Sequence, residues 1–185
     1  VPPRTPRTSL IPGKTLLTSR NIHAAACCYI FRKDILQGLT FELGIQNEDE
    51  RFTPQLFLRA RSVLTTDLRA YFYRQREGSL QHTYSPAFLQ KRFADTLSTI
   101  LYLRSLREPA LDRRINQITM DYIYNVLTLA PQETTTNTTT NLLRPVLPLP
   151  HHTYTLKYWL FSHLANHHPT RLLLRLIARL LPKET

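Results

Sequence analysis

Ser85-Pro-Ala-Phe-Leu-Gln-Lys-Arg-Phe-Ala-Asp-Thr-Leu-Ser-Thr-Ile-Leu101 is the stretch on which the fold class turns. Ser85 offers a side-chain oxygen to the unpaired N–H groups of a helix start, and Pro86 has the backbone angle that suits the first helical turn. Leu89, Phe93, Leu97, Ile100 and Leu101 then recur at the three- and four-residue steps of an apolar helical stripe. A helix is expected from Pro86 that stops before Pro109.

The same punctuation is repeated on both sides. Upstream, Thr53 as cap and Pro54 as first residue predict a helix whose apolar side runs Phe57, Ala60, Leu64, Leu68, Tyr71 and Phe72 and which ends near Gly78. Downstream, Leu111, Ile115, Ile118, Tyr122, Val126 and Leu129 predict a third helix up to Pro131. Short connections make the three antiparallel neighbours, so residues 34–131 are expected to form a small helical bundle. The expected fold is mainly α.

Between Asp34 and Glu50 there are five acids and no base. Glu48-Asp49-Glu50 places negative charge at a helix N-terminus, where the helix dipole favours it, and this outweighs a metal site because no second acidic cluster completes a cage. Leu39, Phe41, Leu43 and Ile45 alternate like a strand, whereas Ile35, Leu36 and Leu39 suit a helical turn; both readings stay open.

Outside the bundle the composition changes. Residues 1–33 carry Arg4, Arg7, Lys14, Arg20, Arg32 and Lys33, no acid, and many Ser, Thr and Pro, which reads as a basic transit-like or extended arm with a processing region over Thr18–Ala26. Residues 132–153 read as a Thr/Asn/Pro-rich linker, with Pro145, Pro148 and Pro150 favouring an extended polyproline form. Residues 154–185 read as a C-terminal amphipathic helical pair, Tyr154–His167 and Thr170–Leu181. Arm and linker have few large apolar groups, so neighbours in a large assembly are expected to hold them.

Charge points to an anionic partner. The formal net charge is +11, with 19 arginines against five lysines among the 24 bases. Arginine's planar fork binds phosphate bidentately, so nucleic acid leads, with anionic lipid or an acidic subunit as the plainer alternative. The expected contacts are Arg59 and Arg61, Tyr73 with Arg74 and Arg76, Lys91 and Arg92, and Arg113 and Arg114. Arg171, Arg175 and Arg179 line one stripe of the last helix. The best single site is the Tyr73, Arg74, Arg76 group, while Tyr71 and Phe72 read as core.

Little else suggests chemistry. The two cysteines, Cys27 and Cys28, are adjacent, which excludes a domain stapled by ordinary disulfides. No run approaches the roughly eighteen apolar residues of a membrane span. His163 and His167 stand four apart on an expected helix and could share a metal, but Leu164 occupies the position that a metalloprotease helix fills with glutamate and no third ligand is assigned, so no metal or cofactor is expected. Only four glycines occur, and no nucleotide-binding glycine loop or nucleophile motif is present, so the chain is not expected to be an enzyme. Leu101-Tyr-Leu-Arg104 resembles the leucine-tyrosine-arginine motif of small mitochondrial three-helix proteins that serve respiratory complexes and iron–sulfur assembly. Leu103 interrupts the order, and the string lies deep in the second helix, so no property is carried over from it.

The expected function is that of a structural subunit of a large mitochondrial assembly. A mitochondrial ribosomal protein contacting rRNA and neighbouring proteins comes first. An accessory subunit of a respiratory complex or ATP synthase, on the matrix or membrane-surface side, is the alternative.

Overall fold

The computed structural model describes residues 8–68, 71, 72, 74, 85–129, 136–150 and 156–167. In chain order these form β1 (Thr8–Ile11), α1 (Gly13–Ser19), α2 (Asp49–Arg59), β2 (Val63–Thr66), α3 (Pro86–Ser105), α4 (Asp112–Leu129), α5 (Thr136–Leu143) and α6 (Leu156–Asn166), with short 3-10 turns between some of them. The protein is therefore mainly helical, as the periodicity requires. The described residues make two compact units: those up to Arg74 with 101–115, and 85–100 with those from 116 onward. Both α3 and α4 contribute residues to each unit.

In the first unit, α1 packs on α2 through an approach only glycine allows. The Gly13 N–H donates to the Ala60 carbonyl at 3.0 Å, and a Cβ on Gly13 would lie 2.0 Å from the Phe57 carbonyl oxygen. Leu16 and Leu17 then bury their side chains in a core that includes Phe52, Leu56, Phe57, Leu103 and Leu111. Leu39 packs with Phe52 and Leu56, and Ile35 and Leu36 lie against them. Of the two open readings the helical turn is the one formed, as a 3-10 turn at Lys33–Ile35 that leads into Leu36, while residues 39–45 form no strand; Gly38 and Gly44 take positive φ, 82° and 79°, and turn the chain around this cluster.

Here the first expected helix is corrected at both ends. It begins at Asp49, so the acidic cluster does occupy its first turn. Thr53 is an interior residue, wholly buried, with its hydroxyl donating to the Ala24 carbonyl at 2.6 Å. The helix ends at Arg59, and Val63–Thr66 pairs antiparallel with Thr8–Ile11, with Leu10 opposite Leu64. Val63, Thr65 and Thr66 are β-branched, and a partner strand satisfies their backbone where the helical ladder has stopped. Leu64, Leu68, Tyr71 and Phe72 consequently lie exposed and outside the core.

The arm is corrected in the same way. From Thr8 onward residues 1–33 supply a strand, a helix and the buried side chains Leu16, Leu17, Ile22 and Ala24. Processing within Thr18–Ala26 would remove Leu16 and Leu17 from this core.

In the second unit, Ser85 caps α3 as expected, its Oγ accepting from the Phe88 N–H at 3.3 Å. Leu89, Phe93 and Ile100 are buried, as are Ile118, Tyr122 and Val126 of α4, and Phe93 meets Tyr122 edge to face at 6.3 Å. Leu101, placed in the core by the sequence, belongs to the first unit and is half exposed there, and Leu103 is the buried residue.

The linker reading fails as well. Thr136–Leu143 is helical, Thr139, Leu143, Val146 and Leu149 are buried, and the Tyr122 hydroxyl donates to the Leu142 carbonyl at 2.9 Å. The Asn166 amide accepts from the Leu149 N–H at 2.7 Å and donates to the Leu149 carbonyl at 3.0 Å, pairing the proline-rich segment as a strand neighbour would. Residues 144–146 form a 3-10 turn in place of polyproline, and the Leu147–Pro148 peptide is cis. The described residues of arm and linker, 8–33 and 136–150, contribute their own buried side chains, so they need no neighbouring subunit to order them. Of the expected C-terminal pair, α6 is formed; Thr170–Leu181 lies outside the described residues.

Candidate partner-binding surface

The arginines divide into those the fold consumes and those it leaves facing solvent. Arg114 is buried; it donates to the Ile22 carbonyl at 2.9 Å and pairs with Glu50. Its charge is satisfied inside the first unit. Arg113 donates from Nε to the Thr18 carbonyl at 2.8 Å, and Arg59 donates to the Leu36 carbonyl. Both tie one segment of the first unit to another. In the second unit Lys91 pairs with Asp95 at 2.8 Å, and the Arg92 guanidinium lies 4.9 Å from the centre of the Phe88 ring.

A structural arginine that sequence reasoning missed is Arg51. It is buried, pairs with Glu42 and lies 4.4 Å above the Tyr102 ring, whose hydroxyl donates to Gln55 at 3.2 Å. Within the Leu101–Arg104 string, Leu103 is wholly buried and Tyr102 partly so, while Leu101 is exposed. Only the interruption of the acidic run by Arg51, one residue after Glu50, could have signalled that a base was recruited there.

Arg61 and Arg74 remain exposed, and the chain between them carries the surface of interest. Leu10 and Leu64, directly opposite across the ribbon, share one exposed face. Leu68, Tyr71 and Phe72 follow, with Phe72 89% and Tyr71 59% exposed. Reading Tyr71 and Phe72 as core is therefore corrected: the helix that would have buried them ends at Arg59. Tyr73, Arg76, Arg171, Arg175 and Arg179 lie outside the described residues.

Ile30, Phe31, Phe41 and Leu43 are also exposed, and Phe31 and Phe41 both lie against buried Phe52, with ring centroids 6.0 and 4.0 Å from it. Beside these residues, Arg32 pairs with Asp34 at 2.7 Å and Arg51 with Glu42. The Arg32 hydrogen bond holds the Asp34 carboxyl below its ordinary range.

Cys27 and Cys28 are free and exposed; burial, then the neighbouring Cys27, raises the Cys28 thiol above its ordinary value. On α6, Trp159 stacks on His163, and His163 meets His167. No three His, Cys, Asp or Glu side chains converge among the described residues. No helix among them is long and apolar enough to cross a membrane. No family model, curated protein or solved structure matches the chain.

Proposed function

We propose that the chain is a non-catalytic structural subunit of a large mitochondrial assembly, docked through the surface from Arg61 to Arg74, with a mitochondrial ribosomal protein as the first reading. The observation that carries it is the pair Tyr71 and Phe72, exposed on a segment bounded by exposed Arg61 and Arg74. Aromatic faces stack on unpaired bases, and arginines beside them neutralise phosphates and release counterions. Such a contact needs no base-specific hydrogen bond. The mitochondrial placement rests on the Arg-rich, acid-free composition of residues 1–33. In this reading the segment stays with the working protein from Gly13 on, because Leu16 and Leu17 are core.

The alternative, an accessory subunit of a respiratory complex or ATP synthase, is favoured by Leu10, Leu64 and Leu68. An exposed leucine face beside a narrow basic rim suits an apolar protein surface better than RNA. Sedimentation of a detergent-solubilised mitochondrial extract, with and without RNase, separates the two. Co-migration with a ribosomal subunit that collapses on RNase treatment supports the first reading. RNase-resistant migration with a respiratory complex replaces it, and free migration refutes both. In the ribosomal case, Arg61→Gln with Arg74→Gln lowers the slope of log affinity against log salt by about 0.7–0.9 per lost phosphate contact. An unchanged slope removes this surface from the interface.

A further inference from the structure

We infer that His163 and His167 form a two-histidine chelate for a divalent transition-metal ion of the zinc or copper class, with its remaining coordination positions open. His163 lies in the last turn of α6 and His167 just past its end, both exposed, with ring centroids 4.9 Å apart. An ion bound to two imidazole nitrogens at about 2.0–2.1 Å lies about 3.2 Å from each ring centroid, so ligand angles of about 90–110° require centroids about 4.5–5.2 Å apart. The observed separation falls inside that interval. The rings are inclined at 64°, and the two residues stand four positions apart, about one helical turn.

Imidazole suits zinc and copper, and copper(II) gains most from a given nitrogen site. Sequence composition adds an independent observation: five of the chain's seven histidines, at 151, 152, 163, 167 and 168, fall within 18 positions. With two protein ligands among the described residues, water or an incoming ligand completes the shell, as in an open site and unlike a closed structural one.

The protein carries its own reporter. Trp159, its one tryptophan, stacks on His163 with centroids 5.8 Å apart and planes 8° from parallel, so a copper(II) ion held by His163 quenches its fluorescence. The experiment is a copper(II) titration of the full chain carrying Cys27→Ser and Cys28→Ser, which removes the competing exposed thiols. Saturable quenching with a midpoint below about 30 μM is expected, reversed by excess zinc(II). His167→Gln, which leaves the Trp159–His163 stack in place, is expected to raise the midpoint at least about tenfold, and His163→Gln to do the same. Circular dichroism checks that each variant is folded, and either folded variant suffices. A parent midpoint above about 30 μM, or a smaller shift in a folded variant, overturns the proposal.

Discussion

Replacing Gly13 by alanine sets two physical arguments against each other. Gly13 is the first residue of α1 and does not have the positive φ that demands glycine, so helix propensity alone favours alanine by up to about 1 kcal/mol. Tertiary packing says the opposite. The added Cβ would lie 2.0 Å from the Phe57 carbonyl oxygen and 2.9 Å from that of Ala60, and both are backbone atoms at the end of α2. Ordinary contact needs about 3.2 Å or more, so α1 and α2 must separate by about 1 Å, loosening Leu16 and Leu17 and stretching the Gly13–Ala60 hydrogen bond. Overpacking of this kind costs about 1–3 kcal/mol, and a clash with backbone belongs at the upper end. After the propensity gain, Gly13→Ala is expected to destabilise the first unit by about 2 kcal/mol. Urea unfolding followed by far-ultraviolet circular dichroism reads this as a lower midpoint with an unchanged slope. A variant as stable as the parent, or more stable, would refute the close approach of α1 to α2.

Two further predictions concern buried polar groups. Arg114→Gln removes the charge that Glu50 pairs with and weakens the contact to the Ile22 carbonyl; because Glu50 is partly exposed, a loss of about 2–3 kcal/mol is expected in urea unfolding, and a change under 0.5 kcal/mol would contradict the structural assignment. Tyr29 and Tyr122 are both raised to about 12, chiefly by burial. For each, the unfolded phenol ionises first. Stability from the neutral buried form is therefore complete below pH 10 and is lost as pH rises toward about 12. Tyr122→Phe should flatten that alkaline decline in the second unit and cost about 1 kcal/mol at neutral pH through the lost bond to the Leu142 carbonyl; an alkaline limb as steep as the parent's would refute its source.

The sequence by itself determined the elements whose signals are local. Ser85 and Pro86 start α3, Leu89 and Phe93 set its buried side, and the stripe from Ile115 to Val126 sets that of α4, because caps and helical periodicity act over a few residues. The acids at Asp49 and Glu50 marked a helix start for the same reason. Tertiary structure decided where α2 stops, since the partner of Val63–Thr66 is Thr8–Ile11, more than fifty residues earlier. It also decided which arginines remain for a partner. Arg114 finds Ile22 and Glu50 at separations of 92 and 64 residues, whereas Arg61 and Arg74 stay exposed beside Tyr71 and Phe72. Arginine has one composition-level signature whether it braces a core or faces solvent. Only the long-range contacts that bury a guanidinium, or leave it in water, separate the two.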